Sequence, residues 1–465
     1  MDQLSRAPEL LVSFRRGAGE SLSAQLERQL REAVREGRLR PGTPLPSTRA
    51  LAAQLGISRG LVVGAYAQLG AEGYLLLRRN APPRVAGLSA PFARSEPGPG
   101  DRVWRHNLRP DLPDFAAFPR EEWLKSYRAA LKRAPDSDLA YGDVRGAFAL
   151  RESLVSYLGR VRGVVGEPAH TFACAGFAQA FGLIGGVLVR SGRTRIGVED
   201  PGHVMIRRLV ARTGLEPVPI PVDRDGIDVD ALTAEDPDAV LLTPAHQFPT
   251  GAVLSPARRA ALLEWAMRQD RFIVEDDYDA EFRYDRAPVG ALQGLMPGRV
   301  VYCGSASKTL APTLRLGWIV APSSLVLELV DQVLYTAMAP PRLEQLAYAD
   351  FLERGEVDRH LRRMRLRYRR RRDALVLSLE RELPEVQIRG VAAGLYLAAV
   401  LPPGHDEARV LAEARERGIG LSGMSEHRVR TQGEPTLLLG YAVLKEPAIR
   451  MAVKKLAEAV EAASA

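Results

Sequence analysis

Two cysteines, Cys174 and Cys303, are too few to staple a chain of 465 residues, which excludes a disulfide framework as the basis of its fold. Both stand at the ends of apolar runs that read as strands, so reduced and inert thiols of a cytoplasmic protein are expected. No stretch approaches the roughly 20 consecutive apolar residues that a membrane-spanning helix needs, which excludes membrane partners of that kind. The opening Met1-Asp2-Gln3-Leu4-Ser5 also lacks the layout of a signal peptide. With 46% hydrophobic residues and no internal repeat, the chain has material for a large core and two or more domains.

Lysine is nearly absent as well. Six of the 64 basic residues are lysine, and Lys308 is the only one between Lys132 and Lys445. A chain that writes its positive charge as arginine and keeps one lysine beside small hydroxyl residues uses it for its amine, which can form a Schiff base. The run Val301-Tyr302-Cys303 reads as a buried strand ending at Gly304, so Lys308 falls in the loop at the strand's carboxyl end. There Ser305, Ser307 and Arg315 can converge on a phosphate, with arginine matching its oxygens in bidentate fashion. Amine and phosphate site together point to pyridoxal phosphate; alone, the motif would be a surface lysine in a Ser-rich turn.

Two further segments complement it. Arg271 to Tyr284 reads as a strand running into an acidic loop, Glu275-Asp276-Asp277-Tyr278. A pyridoxal site needs a carboxylate against the pyridine nitrogen, because protonation there makes the ring an electron sink. Asp276 or Asp277 can serve, and the Tyr278 phenol can reach the cofactor's 3'-oxygen; a solvated acidic turn is the plainer alternative. Upstream, Ala239-Val240-Leu241-Leu242 is another buried-strand run, opening into Thr243 to Gly251. Strands and helices alternate from about 170 to 320, the sign of an α/β domain with a mostly parallel sheet.

The amino end differs. Residues 1 to 84 hold thirteen Arg, no Lys and seven Asp plus Glu, a net charge of 13 − 7 = +6, against 8 − 6 = +2 for all the rest. A small basic domain suggests a polyanion such as nucleic acid as partner. Leu22, Leu26, Leu30 and Val34 recur at helical spacing, Gly42 and Pro44 break the chain, and Leu51, Leu55 and Ile57 mark a second short helix and turn. Ser58 caps a third helix carrying Leu61, Val62, Ala65, Tyr66 and Leu69, and Gly73 to Leu77 follows as a strand.

From about residue 105 the chain resembles the class I aminotransferases of fold-type I, in the wording of the MocR branch of the GntR regulators. Tyr141-Gly142-Asp143, Gly176-Phe177-Ala178-Gln179, Glu199-Asp200-Pro201-Gly202, His246 to Gly251, Glu275 to Tyr278, and Ser305 to Lys308 with Arg315 carry the resemblance. It implies a large pyridoxal-phosphate domain over 105–350 and a small α+β carboxyl-terminal domain over 351–465. It also implies roles: Lys308 as the attachment lysine, Asp276 at the pyridine nitrogen, Tyr278 at the 3'-oxygen, and Ser305, Ser307, Arg315 and the amides of Phe177 and Ala178 around the phosphate. His203 would be a further cofactor contact, where relatives often carry Tyr.

Residues 1–84 resemble the GntR-type winged helix-turn-helix, through Arg38 to Ala52 and Ser58-Arg59 followed by Ala65-Tyr66. A recognition helix docks its first residues in the major groove, which makes Ser47, Thr48, Arg49, Ser58 and Arg59 the expected contacts to double-stranded operator DNA. The wing reads Arg78-Arg79-Asn80-Ala81-Pro82-Pro83-Arg84; its prolines predict a short or irregular hairpin, with Arg78, Arg79 and Arg84 meeting phosphates. Residues 85–104 read as a linker.

The expected protein is therefore a pyridoxal-phosphate-dependent transcriptional regulator whose aminotransferase-like domain senses an amino acid or pyridoxal phosphate itself, working as a head-to-tail homodimer. A catalytically active class I aminotransferase is the second reading, and a cofactor-free dimerisation scaffold the third. Departures from the enzymes bear on the choice. Phe248 replaces the usual Asn before Pro-Thr-Gly, Met205 falls where some relatives carry a substrate-binding Arg, and the late Arg-Leu-x-Tyr pattern appears as Leu438-Leu439-Gly440-Tyr441. Arg207, Arg428 and Arg430 are the candidates left to bind a substrate carboxylate. The arginine run from Arg362 to Arg372 shares its segment with Leu361, Met364 and Tyr368, which predicts a solvated or dimer-facing amphipathic helix rather than a second DNA surface.

Overall fold

The computed structural model describes residues 13–14, 19–78, 81–87, 104–285, 289–336 and 339–464. The first five residues, Arg79 of the wing and residues 88–103 of the expected linker lie outside these. The chain forms two compact units, Met1–Arg102 and Val103–Ala465.

In the first unit α1 (Leu22–Arg35), α2 (Thr48–Leu55) and α3 (Arg59–Ala71) precede a hairpin of β1 (Leu75–Leu76) and β2 (Arg84–Val85). Each helix starts at a serine whose hydroxyl accepts a first-turn amide: Ser21 from Ala24, Ser47 from Ala50 and Ser58 from Leu61. Leu26, Leu30, Leu51, Val62, Ala65 and Leu69 bury the facing stripes of all three helices in one core. The wing strands are two residues long, as its prolines predict.

The second unit opens with β3 (His106–Asn107), then α4 (Arg120–Arg133) and α5 (Phe148–Arg162). Its main sheet consists of β4 (Thr171–Cys174), β5 (Arg195–Asp200), β6 (Glu216–Asp223), β7 (Gly226–Ile227), β8 (Ala239–Leu242), β9 (Phe272–Asp277), β10 (Val300–Ser305) and β11 (Gly317–Val320). They lie in the order β4-β11-β10-β9-β8-β5-β6-β7. Neighbours from β10 across to β6 are parallel, while β11 and β7 run against the rest. Between strands run α6 (Phe177–Arg190), α7 (Val204–Arg212), α8 (Val229–Glu235) and α9 (Pro256–Arg268). After α10 (Val326–Thr336) and α11 (Arg342–Glu353), the 27-residue α12 (Glu356–Glu382) leads into a four-stranded antiparallel sheet that includes β12 (Gln387–Arg389), β13 (Tyr396–Val400) and the late strand Thr436–Gly440. Here β3 pairs in parallel with Ile419–Gly420, tying the start of the unit to its carboxyl-terminal layer.

Two sequence expectations change. Glu275, Asp276 and Asp277 are no solvated loop: they are the buried end of β9, flanked by β8 and β10. The arginine run does not lie wholly in solvent either. Arg371 is buried and pairs at 3.0 Å with the buried Asp114, Arg367 reaches the same carboxylate, and Arg365 donates to the Glu281 carbonyl, because Leu361, Met364 and Tyr368 turn that helical face inward. No helix among the described residues is long and apolar enough to cross a membrane.

Candidate cofactor site

Alternation along two central strands builds the site. Phe272 and Val274 of β9, and Val301 and Cys303 of β10, pack with α6 on one face of the sheet. With period two, the next residues on that face are Asp276 and Ser305, at the carboxyl ends of their strands. Glu275 and Asp277 point the other way, into structural bonds. Glu275 accepts the amides of Leu292 and Gln293, both at 3.0 Å, and Asp277 takes Arg162 Nε and the Tyr302 hydroxyl, each at 2.7 Å. The ambiguity between the two aspartates thus resolves into two roles, with Asp276 facing a cavity of about 510 Å³.

All nine residues expected around a cofactor, Lys308, Asp276, Tyr278, Ser305, Ser307, Arg315, Phe177, Ala178 and His203, line that one cavity. On this cavity α6 starts after its N-cap Gly176, which lies in the left-handed region (φ 98°), with no side chain capping it. The first-turn amides of a fourteen-residue helix are therefore available to an anion. The Arg315 guanidinium lies opposite: a β-carbon placed on Gly176 would sit 3.8 Å from it. Arg315 forms no ion pair among the described residues.

At the other end Asp276 is 7% exposed and accepts no hydrogen bond among the described residues. Burial, then the neighbouring Asp277, pushes its carboxyl well above the usual range. A buried acid without a partner calls for a cationic donor, and the protonated nitrogen of a pyridine ring is one. Lys308 donates to the Asp111 carbonyl, and burial pulls its ammonium below its ordinary value, favouring the nucleophilic amine. Tyr278 donates to the His246 carbonyl at 3.0 Å, and His246 Nδ1 meets the buried Asp279 at 2.9 Å. A side chain on Gly394 would collide with both His246 and Asp279. The His246–Asp279 pair and the Arg162–Asp277 pair had no signature in the sequence, since their members lie 33 and 115 positions apart.

The three arginines proposed for a substrate carboxylate are occupied. Arg207 donates to the carbonyls of Gly202 at 2.6 Å and His427 at 2.7 Å, Arg428 to those of Gly433 and Glu434, and Arg430 pairs with Glu235 at 2.6 Å. Asp200 fixes the loop that carries two of them by accepting the amides of Val429, Arg430 and Thr431.

In the first unit Arg49 and Arg59 are exposed at the starts of α2 and α3 and Arg78 at the wing, none in an ion pair among the described residues. Three other arginines of the unit are neutralised: Arg28 pairs with Glu20, Arg31 with Glu72 and Arg38 with Glu36. Arg35, Arg40 and Arg84 also form no ion pair among the described residues, Arg35 donating to the Tyr74 hydroxyl at 2.8 Å. Ser47 and Ser58 act as caps, Thr48 is half-buried, and Arg84 donates to the Gly42 carbonyl at 2.9 Å.

Comparison with known proteins agrees with both halves. Residues 22–85 match the bacterial regulatory proteins of the gntR family, and residues 114–456 match aminotransferase class I and II. The chain is 32% identical over 450 residues to the HTH-type pyridoxine biosynthesis transcriptional regulator PdxR of Corynebacterium glutamicum, covering 95% of this chain and 96% of that protein. It is 32% identical over 467 residues to the probable rhizopine catabolism regulatory protein MocR of Rhizobium meliloti, covering 96% and 94%. Among solved structures, LysN, the alpha-aminoadipate aminotransferase of Thermus thermophilus in complex with N-(5'-phosphopyridoxyl)-L-leucine, superposes with a TM-score of 0.69 at 26% identity, covering 77% of this chain and 92% of that one. Kynurenine aminotransferase of Pyrococcus horikoshii gives 0.70 at 26%, covering 77% and 90%.

Fold and cavity define a fold-type I aminotransferase domain, the pyridoxal-phosphate-dependent kind, behind a winged helix. The chain belongs to the MocR-type regulators of the GntR family, transcriptional regulators that bind DNA through the winged helix.

Proposed function

We propose that pyridoxal phosphate is held at Lys308 and that a small-molecule signal at this cavity, an amino acid or pyridoxal phosphate itself, sets how the winged helix engages its operator. The convergence of a buried unpartnered acid, a half-buried amine and an uncapped helix start with an unpaired guanidinium supports it. When bound, the cofactor supplies an aldehyde that captures amines and a ring that draws electrons from them. Lys308 attaches it, Asp276 keeps the pyridine nitrogen protonated, the Tyr278 hydroxyl turns from the His246 carbonyl to the 3'-oxygen and His203 borders the compartment. Ser305, Ser307, Arg315 and the amides of Phe177 and Ala178 take the phosphate. The His246–Asp279 pair keeps the Tyr278 phenol in place.

Transamination as the main activity is disfavoured, because Arg207, Arg428 and Arg430 are all bound elsewhere and turnover needs the substrate's carboxylate held. On the DNA side Arg49, Arg59 and Arg78 would meet the duplex, with Ser47, Thr48 and Ser58 at the same helix starts. One winged helix covers one half-site, so a head-to-tail homodimer on repeated half-sites in the cytoplasm is the working form. Fluorescence titration of operator DNA tests this: Arg59→Ala is expected to lose about 1–3 kcal/mol and relax base preference. An equal loss on random DNA would reduce Arg59 to a phosphate contact.

A further inference from the structure

The cofactor residues account for one side of the cavity. Phe248 lines the cavity beside His203 and heads a wall of rings: it stands 5.0 Å from His203 and, behind the lining, 5.1 Å from His427 and 5.2 Å from Tyr396, centroid to centroid. Phe248 and Tyr396 belong to a buried apolar cluster with Ala398, Met424 and Leu438, against which Tyr278 packs. Phe248 and Leu438, two positions at which the sequence departs from class I enzymes, thus meet in one cluster. Met205, the third, lines the same cavity.

An α-amino acid whose amine reaches Lys308 carries a carboxylate on the adjacent carbon. That charge has to be met by a cation within a few ångströms, or its desolvation costs several kcal/mol. The wall supplies no free one: His427, behind the lining, already lies 3.3 Å from the Glu426 carboxylate. His203 is held neutral, its pKa pushed down to about 4 by burial, then by His427. Arg207 is bound to backbone carbonyls. Arg315 stands at the phosphate end. The other guanidiniums of the lining, Arg208 and Arg212, are exposed on α7, about 7.5 and 13.5 Å along the helix axis from His203 at 1.5 Å per residue.

We infer that this cavity selects, as the ligand it takes beside the cofactor, a primary amine with an apolar or aromatic body and no carboxylate on the amine-bearing carbon, in preference to an α-amino acid. The inference rests on the cofactor assignment made above. Rings at 5 Å spacing offer such a body stacking and edge contacts, and apolar burial without an uncompensated charge.

The test uses a pair of ligands with the same ring that differ only by the carboxylate. Cofactor-loaded full-length protein is titrated by calorimetry with 2-phenylethylamine and with L-phenylalanine. Phenylethylamine is expected to half-saturate at a concentration roughly tenfold lower or better. Phenylalanine binding equally or more tightly overturns the inference, as does a titration silent for both. Phe248→Asn is expected to shrink the ratio toward one, and Phe248→Asn with Leu438→Arg to reverse it; the visible absorbance of the bound cofactor reports that each variant is folded. Because Leu438→Arg places a charge at a fully buried position, the single Phe248→Asn variant decides if the double one does not fold, and a ratio it leaves unchanged overturns the role of the wall. Wild-type protein that binds no cofactor refutes the cofactor assignment instead, whereas loaded protein that prefers phenylalanine refutes only the selectivity.

Discussion

On the floor of the cavity Asp276 is buried without a hydrogen-bond partner and Arg315 has no counter-ion among the described residues, while in the wall of rings beside it Phe248 packs on His203, His427 and Tyr396. The floor is incomplete as protein: its charges are satisfied only when something else arrives. The wall offers mostly ring faces; its open polar group is the buried His427 imidazole, 3.3 Å from the Glu426 carboxylate, while Arg207 and Arg428 are bonded to backbone carbonyls. Charged groups left open in this way mark where a ligand is gripped, and a surface of packed rings marks where one is fitted. The contrast is between residues that await a partner and residues, Arg207, Arg428 and Arg430 among them, that already have one.

Removing the floor's amine breaks that contrast most completely. Lys308→Ala is expected to lose all borohydride-fixable cofactor, measured by mass spectrometry after reduction; cofactor still fixed would mean that another amine carries it. Asp276→Ala comes next, with cofactor affinity lowered by about 1.5–3 kcal/mol, the usual worth of a hydrogen bond to a charged group, or roughly 10- to 150-fold in a fluorescence titration. Arg315→Lys keeps the charge and loses the bidentate fork, so about a tenfold loss is expected for pyridoxal phosphate and none for pyridoxal lacking the phosphate. An equal loss for both would remove Arg315 from the phosphate site.

The smallest effect sharpens the wall. The imidazole of His203 has its pKa lowered to about 4, whereas an unfolded histidine titrates near 6.5. The unfolded state therefore binds the proton first as pH falls. The neutral ring's contribution is fully present above about pH 6.5 and is lost as pH drops toward 4. His203→Phe keeps a ring and removes the titration, so relative to wild type it should gain stability across that window, by no more than about 2 kcal/mol given its partial exposure. Parallel melting curves at pH 7 and pH 5 for the two proteins would argue against a neutral buried ring.

What the sequence made legible follows from how local the signal is. Lys308, Ser305 and Ser307 stand within four positions, and Ser47 and Ser58 cap helices that start one residue later, so their places are readable from spacing alone. The choice between Asp276 and Asp277 came from the family resemblance and not from the residues themselves, because it depends on which face of β9 turns toward α6. Nor was the commitment of Arg207 and Arg428, since their partners are backbone carbonyls whose direction is set by loop geometry. Asp114 and Arg371 show the same limit: 257 positions apart, they meet only because α12 packs across the unit.

Operator affinity of the full-length protein, measured without cofactor, with pyridoxal phosphate, and with pyridoxal phosphate plus a panel of amines and amino acids, tests the regulator assignment most directly. Coupling between the two units predicts curves displaced by about 1–3 kcal/mol, roughly 5- to 150-fold in dissociation constant, between at least two of these states. Coincident curves, together with many cycles of transamination of one amino acid, would contradict it and make the protein an enzyme.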